Sequence, residues 1–321
     1  MSDRITRRDF IKGMAATGAG VYGLQLAGSV IASPPEDGIA ELSVVEGDLA
    51  KGADDAETIK RATRDAVVGL GGMSKFVSKK SVVMVKPNIG WSGSPQQASN
   101  TNPYVVEAVV EMCLEAGAKK VKVLDHTINP ARITYERSGI KAAVKRAKGS
   151  MEFTDERKFK DKSIPEGQVI KSWPIYKDAL DVDVLINVPI AKHHSLTKLS
   201  LGIKNLMGLI EAREDLHRKI EQGLADLATV IKPHLTIVDA YRILTANGPN
   251  PGRPKDVKLA GQIIACADPV AADSYAATLF GLKGEDIGYI KAAYDMGLGE
   301  IDLSKVDAIY FGRPTLVPTL D

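Results

Sequence analysis

The feature that most limits the fold of this chain is a regular alternation of short apolar runs with amphipathic segments, beginning near residue 40. The runs are rich in Val, Ile and Leu without polar alternation, which is typical of strands that helices cover on both faces. The pattern predicts strands over 81–85, 121–124, 182–188, 235–238, 258–265 and 306–311, and helices over 103–116, 135–146, 215–231, 269–280 and 287–293. We therefore expect an α/β fold with a mostly parallel sheet, helices on both faces and a single large domain.

The composition argues against several classes of protein. A net charge of +2 and an aromatic content of 5% give no sign of a nucleic-acid-binding surface. The only two cysteines, Cys113 and Cys266, lie far apart in apolar runs. Their apolar surroundings favour buried thiols over a single disulfide, and two cysteines cannot supply the four cysteine ligands of an iron–sulfur cluster.

The N-terminus resembles a twin-arginine (Tat) export signal. Arg7 and Arg8 stand in TRRDFIK and precede an uncharged stretch from Gly13 to Pro35 that is only weakly hydrophobic. We expect residues 1–33 to be a cleaved signal peptide and 34–321 to form the α/β domain. The expected location is periplasmic or extracellular, with the Tat translocase as a partner during export.

Residues 147–172 break the strand–helix pattern. They are polar, rich in lysine and weakly periodic. We expect an exposed connection or a small insert there.

Polar side chains follow five of the predicted strands where the strands end. Ligands of open α/β sheets bind beyond the carboxyl ends of the strands, so these side chains are expected to meet at one rim. The residues are Lys86, Asn88, Asp125, Lys192, His193, His194, Asp239 and Asp268.

Several of these residues also have a structural interpretation. Asp268 precedes Pro269 and is suited to cap helix 269–280. Asp273, one turn further, is either a solvated helix residue or a partner for a cation at the rim. Asn88, Asp125 and Asp239 could each end a turn. Lys86 is the strongest candidate, because a lysine at a buried strand end needs an anionic partner.

The segment after the paired histidines also shows a helical pattern. A helix over 197–210 would carry an apolar face, with Lys204 and Asn205 on the opposite side. That side is either a solvated surface or an anion site near the rim. Gly202 and Gly208 inside a helix are unfavourable, which indicates a close approach of backbone or ligand.

The adjacent histidines cannot form the i, i+4 pair of helical zinc sites. One of them could bind a divalent metal together with Asp125 or Asp239. The other would then act as an acid, a base or a hydrogen-bond donor.

Three motifs together resemble the family called domain of unknown function 362. They are Lys-Pro-Asn at 86–88, Lys-His-His at 192–194 followed by Gly-Ile-Lys-Asn-Leu-Met-Gly at 202–208, and Ala-Asp-Pro-Val-Ala-Ala-Asp at 267–273. The likeness extends over roughly residues 80–310. It implies an α/β protein with links to redox contexts, sometimes fused to ferredoxin-like [4Fe–4S] modules, which this chain lacks the cysteines to bind. It also supports grouping the residues of these motifs as one constellation, without supplying a reaction.

The leading hypothesis is an exported enzyme that acts on a small carboxylate or phosphate. The predicted catalytic residues are His193, His194, Lys192 and Lys86, the predicted substrate-binding residues are Asn88, Lys204, Asn205, Asp268 and Asp273, and the predicted metal ligands are Asp125 and Asp239. In one version a histidine transfers the proton. In the other, a lysine made neutral by its cationic neighbours acts as base or Schiff-base nucleophile.

The alternative is a non-catalytic periplasmic accessory protein that binds an anion, a metal or a redox partner protein. Motifs of serine hydrolases, P-loop NTPases and Rossmann dehydrogenases do not occur in their required contexts.

Overall fold

The computed structural model describes residues 40–47 and 55–311. The predicted Tat signal at 1–33, including Arg7 and Arg8, lies outside the described residues. The start of the predicted domain at 34–39 lies outside them too.

The strands form one large sheet and one small sheet. The strands are β1 (Leu42–Glu46), β2 (Val82–Pro87), β3 (Lys120–Val123), β4 (Ser150–Met151), β5 (Phe159–Ser163), β6 (Ser172–Tyr176), β7 (Val184–Val188), β8 (Ile190–His194), β9 (Lys198–Ser200), β10 (Leu235–Leu244), β11 (Val257–Cys266) and β12 (Ala308–Phe311). The order in the large sheet is β12-β1-β11-β10-β7-β2-β3-β4, with β8 pairing with β10 and β9. Strands β5 and β6 pair only with each other among these strands.

Most neighbours in the large sheet run parallel. The pairs β2–β3, β2–β7, β3–β4, β7–β10, β8–β10 and β1–β12 are parallel. Strand β11 is antiparallel to β1 and β10, and β9 is antiparallel to β8. The prediction of a mostly parallel α/β sheet in a single domain is confirmed.

The helices connect the strands and carry local signals that explain their starts. They are α1 (Ala56–Gly69), α2 (Pro103–Glu115), α3 (Ala131–Arg137), α4 (Ile140–Arg146), α5 (Lys177–Asp181), α6 (Gly202–Asn205), α7 (Arg213–His217), α8 (Ile220–Ala228), α9 (Pro269–Thr278) and α10 (Gly288–Asp295). Helix α2 begins with proline after Asn102, whose side chain accepts a hydrogen bond from Tyr104 N.

Two apolar cores cover the two faces of the large sheet. One contains side chains of α1, α2 and α4, and the other contains side chains of α6, α8, α9 and α10. In strand β2, Val83 and Val85 belong to the first core and Met84 to the second. This alternation shows why residues 83–85 are all apolar, because both faces of the strand are buried there.

The predicted helix over 197–210 is wrong. Residues 198–200 form strand β9, and only a short helix and a 3₁₀ turn follow, at Gly202–Asn205 and Leu206–Leu209. All residues from 201 to 210 are buried, so the segment has no solvated face. The apolar spacing reflects burial on every side rather than a continuous amphipathic helix.

Two other predicted helices are each divided in two. The predicted helix 135–146 is interrupted at Gly139, which has φ 75°. The predicted helix 215–231 is interrupted at Lys219, whose φ of −136° is not helical. A turn from Lys219 N to Leu216 O keeps the apolar spacing in phase, so periodicity could not reveal the second break.

Residues 147–172 contain both buried and exposed positions. Strand β4 extends the large sheet at its edge, and β5 begins the small sheet. Phe159, Ile164 and Ile170 are buried in a core, while their polar neighbours are largely exposed. No helix among the described residues has the length and apolar content needed to cross a membrane.

Candidate functional site

Lys86, at the carboxyl end of β2, forms a buried ion pair with Asp125, which follows β3. Lys86 Nζ lies 2.7 Å from Asp125 Oδ1, and their side chains are 1% and 3% exposed. Asp125 Oδ2 also accepts a hydrogen bond from Ile89 N at 2.6 Å. Burial lowers the pKa of Lys86 despite the opposing attraction of Asp125.

Three asparagines link this ion pair to the rest of the rim. Asn205 Oδ1 accepts from Lys86 Nζ and from Asn88 Nδ2, each at 3.0 Å. Asn205 Nδ2 donates to Asn187 Oδ1 at 2.8 Å, and Asn187 Nδ2 donates to Gly202 O at 2.9 Å. The amide groups thus fix the positions of Lys86 and Asn88 relative to α6.

Lys192, in β8, is the second buried lysine of the rim. Its Nζ donates to Asn88 Oδ1 at 3.0 Å and to Ser99 O at 2.6 Å. No carboxylate of the described residues pairs with it. Burial, together with the positive charges of Lys204 and Lys86, lowers the pKa of Lys192 to about 7.

Lys204, in α6, is the third buried lysine, and it has the weakest partner. Within residues 40–47 and 55–311, its Nζ makes one hydrogen bond, to the thioether sulfur of Met207 at 3.4 Å. Burial lowers the pKa of Lys204 to about 8, against the attraction of Glu221. We call Lys86, Lys192 and Lys204 the lysine cluster.

Arg213, in α7, adds a fourth positive charge. Its guanidinium donates to His126 O at 2.9 Å and to Thr127 O at 3.1 Å. It is near enough to lower the pKa of Lys86 and of Lys204. Near these four cations, the described carboxylates that offset them are Asp125 and Glu221, so the rim carries an excess of positive charge.

The two adjacent histidines are half-buried and hydrogen-bonded through the same ring atom. His193 Nδ1 accepts from Gly248 N, and His194 Nδ1 accepts from Leu196 N, both at 3.1 Å. Backbone N–H groups only donate, so each imidazole in this arrangement is neutral with its proton on Nε2. Burial and the nearby Lys204 and Lys192 lower the pKa of His194 to about 3.

Gly208 is a glycine because the ion pair lies against its backbone. A Cβ atom there would lie 1.8 Å from Asp125 Oδ1 and 2.5 Å from Lys86 Nζ. A Cβ on Gly202 would lie 2.7 Å from Asp273 Oδ1. The sequence predicted a close approach of backbone or ligand at both glycines, and the groups that approach them in the structure are side chains of this chain.

Asp268 and Asp273 accept hydrogen bonds from backbone N–H groups at the starts of helices α9 and α6, and their substrate-binding role stays a prediction. Asp268 Oδ1 caps α9 by accepting from Val270 N and Ala271 N, and its Oδ2 accepts from Glu300 N. Asp273 accepts from Gly202 N at 2.6 Å and Ile203 N at 2.8 Å. It fixes the first turn of α6, and burial raises its pKa to about 7.

The two predicted metal ligands have separate structural partners. Asp125 pairs with Lys86, whereas Asp239 accepts from Asn102 N at 2.7 Å and Tyr241 N at 3.1 Å. Burial raises the pKa of Asp239 to about 6. In the part of the chain that the structure describes, no three His, Cys, Asp or Glu side chains are grouped to hold a metal ion.

Sequence reasoning missed Asn187 and Arg213. Asn187 is a polar residue inside the apolar run VLINV, and that exception was the available signal. Arg213 stands among charged residues in EAREDLHRK, where nothing distinguishes it from a solvated side chain. Only the path of the chain brings it to the rim.

Known proteins are similar to parts of this chain in sequence or in structure. The thylakoid-associated protein sll1697 of Synechocystis sp. is 28% identical over 261 residues, covering 76% of this chain and 77% of that protein. The lactate racemase apoprotein of Thermoanaerobacterium thermosaccharolyticum has a TM-score of 0.46 and 12% sequence identity to this chain. The match covers 73% of this chain and 55% of the racemase chain. A protein of Thermotoga maritima has a TM-score of 0.33 and 16% identity, and covers 57% and 50%. The chain thus spans about half the length of both solved structures.

A family model also matches the core of the chain. The model, described as a domain of unknown function (DUF362), matches residues 83–278, which include Lys86, the paired histidines and α6. The match extends over more than half of the chain, and the protein therefore belongs to the DUF362 family.

Proposed function

We propose that the protein is an enzyme that binds a small carboxylate or phosphate at the lysine cluster. The observation that carries this proposal is the burial of Lys192 and Lys204 without a carboxylate partner among the described residues. Buried cations are normally paired, because desolvation penalises an isolated charge. A bound anion would supply the missing negative charge. Arg213 and the Nε2–H groups of the histidines are further donors.

Lys192 is the residue that we propose transfers protons. Its pKa of about 7 allows both the amine and the ammonium form near neutral pH. The histidines are less suited, because protonation of Nδ1 would break the hydrogen bonds from Gly248 and Leu196. His194, with a pKa of about 3, would act as a hydrogen-bond donor to the ligand.

Titration calorimetry with inorganic phosphate and with acetate tests the binding step. We expect saturable binding by the unmodified protein and a loss of at least about tenfold in affinity in Lys192→Met, since one charge-assisted hydrogen bond contributes about 1.5–3 kcal/mol. Lys232→Met is the matched control, because Lys232 is exposed and lies before the amino end of β10, whereas the lysine cluster includes Lys86 at the carboxyl end of β2. Equal binding by all three proteins would exclude the lysine cluster as the site.

The second candidate function is a non-catalytic accessory protein that binds the same anions. The separate structural duties of Asp125 and Asp239 favour it over a metal-assisted enzyme, because they reduce the set of free catalytic carboxylates. Incubation of the protein with a panel of small carboxylates and phosphates, followed by NMR, distinguishes the two functions. Conversion of a bound compound supports the enzyme, and binding without conversion of any panel member supports the accessory protein.

We also propose that the protein is exported or associated with a membrane. The TRRDFIK motif supports export through the twin-arginine pathway, and the relative from Synechocystis sp. is described as thylakoid-associated. Fractionation of cells that produce the full chain tests this. Replacing Arg7 and Arg8 by lysine should retain the protein in the cytoplasm, whereas unchanged export would refute the Tat assignment. The accessory-protein alternative includes a redox partner protein or a divalent metal as its ligand.

A further inference from the structure

Lys204 differs from the other lysines of the cluster in its hydrogen bonding. Lys86 donates to Asp125, Pro87 O and Asn205, and Lys192 donates to two oxygen atoms. Lys204 is 8% exposed, and its one hydrogen bond among the described residues goes to a thioether sulfur. Thioether sulfur is a weak acceptor, so this environment solvates an ammonium poorly and suits a neutral amine.

Burial and the positive charges around Lys204 favour the neutral amine, and the same charges attract an anion. Burial and Arg213 lower the pKa of Lys204 against the attraction of Glu221, and Lys204 in turn lowers the pKa of Lys192, His194 and His217. His217 is exposed, and Arg213 and His194 are half-buried. Asn205, the next residue along the chain, accepts a hydrogen bond from Lys86 Nζ, which places the backbone of Lys204 beside the other cations of the rim.

We propose that Lys204 captures a small 2-oxo acid as an imine, with the carboxylate of the ligand held by the surrounding cations. The inference rests on the proposed function, because the same cationic rim must first bind the carboxylate. It adds a covalent step and a substrate class, since an amine forms an imine with a carbonyl carbon and a carboxylate next to that carbon would lie among the cations of the rim. Met207, whose thioether contacts Lys204 Nζ, provides an apolar side chain for the alkyl part of such a ligand.

The step balances with groups that the rim contains. The Nζ lone pair of Lys204 attacks the carbonyl carbon, and a proton moves from Nζ to the carbonyl oxygen, giving a carbinolamine. The Lys192 ammonium then donates a proton to the hydroxyl group, which leaves as water while the C=N bond forms. Lys192 regains its proton from the nitrogen or from solvent, and no oxidant or reductant is consumed.

Borohydride trapping tests the proposal on the full chain. Pyruvate is the probe, and sodium borohydride reduces any imine to a stable amine that peptide mapping assigns to one lysine. We expect a single adduct on Lys204 that increases with pyruvate concentration, is suppressed by inorganic phosphate and increases as the pH rises through about 8. Acetone, which has the carbonyl but no carboxylate, should give no adduct at the same concentration.

Mapping in the unmodified protein needs no variant, so a folding defect cannot obscure the result. Lys204→Arg should lose the adduct while Lys232→Met keeps it. An adduct on Lys192 or Lys86, or no adduct, would overturn the assignment to Lys204. If no adduct forms on Lys204 but pyruvate binds in calorimetry and Lys192→Met weakens that binding, the inference fails while the proposed function survives. If pyruvate, phosphate and acetate all fail to bind, both fail.

Discussion

The ion pair of Lys86 and Asp125 shows that the effect of an ion pair on stability depends on its burial. Their contact is almost fully excluded from water, and a buried charge without its partner is far less stable than either a pair or two apolar groups. The exposed pair of Lys120 and Glu152 has the same Nζ–oxygen distance of 2.7 Å, with side chains 47% and 22% exposed. Solvent screening should make that second pair nearly neutral for stability.

Replacing Lys86 by methionine is therefore expected to lower the free energy of unfolding by about 3–5 kcal/mol. The double variant Lys86→Met/Asp125→Leu should lose less than the sum of the two single variants. Urea denaturation measures all three, with Lys120→Met as the control at about 0–1 kcal/mol. Additive losses in the double variant would show that the two side chains are not energetically coupled.

The lowered pKa values of Lys192 and Lys204 predict a pH dependence of stability. Both groups have folded pKa values of about 7 and 8 against an ordinary value of 10.5. Between these values the unfolded chain binds more protons, so stability should rise with pH from about 7 towards 10.5.

Thermal unfolding of the unmodified protein and of Lys192→Met across this pH range checks the prediction. The variant should show a smaller rise, and it should be at least as stable as the unmodified protein at pH 7, because it buries no charge there. Asp239 and Asp273 act in the opposite direction, since their raised pKa values lower stability as the pH rises from about 4 to 7. If the stability of Lys192→Met rose with pH as steeply as that of the unmodified protein, the lowered pKa of Lys192 would be contradicted.

At the scale of elements, the loop-like segment 198–210 positions more residues of the rim than any regular helix does. Strand β9, helix α6 and the 3₁₀ turn fold it so that Asn205 binds Lys86 and Gly208 lies against Lys86 and Asp125, at the ends of β2 and β3. Asp273 from α9 determines where α6 begins, by accepting the first two N–H groups. A residue in one element thus sets the geometry of another, and the local pattern of the second element does not contain that information.

Gly208→Ala tests the packing of this segment. The added Cβ would displace the carboxylate of Asp125 or the amine of Lys86, so we expect a loss of about 3–5 kcal/mol in unfolding free energy, comparable to breaking the buried pair. Gly90→Ala is the control, since a Cβ there meets only atoms at 3.8 and 3.9 Å. Chemical denaturation should separate the two variants clearly. A neutral Gly208→Ala would mean that the ion pair can move at little cost.

For the molecule as a whole, the large sheet lies between the two cores. The lysine cluster lies where the central strands of this sheet end. Strands β2, β7 and β10 have neighbours on both sides, whereas β4 and β12 lie at the ends of the strand order. The small sheet of β5 and β6 lies outside that order.

This arrangement predicts the pattern of amide hydrogen exchange. The central strands β2, β7 and β10 should exchange slowest, and β4 and the β5–β6 pair should exchange faster, because local opening at an edge exposes less apolar surface. Mass spectrometry of exchanged peptides measures this, and phosphate should add protection at residues 86–101 and 201–210. Protection by phosphate elsewhere, with none in these segments, would count against the lysine cluster as its site.

The sequence by itself determined the fold class and much of the rim. Apolar runs in the sequence indicate which segments are buried. The rule that ligands bind beyond the carboxyl ends of the strands needs only the order of strands and helices. Lys86, Asn88 and Lys192 could be placed in this way. The binding partners of these residues could not, because their contacts join residues as far apart as Lys86 and Asn205, 119 positions along the chain.

Only the tertiary structure decided which polar residues share the rim. It assigned Asp268 and Asp273 to helix starts, brought in Asn187 and Arg213, and buried Lys204 beside a thioether. The physical reason is that an aspartate before a helix and an aspartate in a site look alike in sequence. What separates them is which donors the folded chain brings within hydrogen-bonding distance, and that depends on the packing of several elements at once.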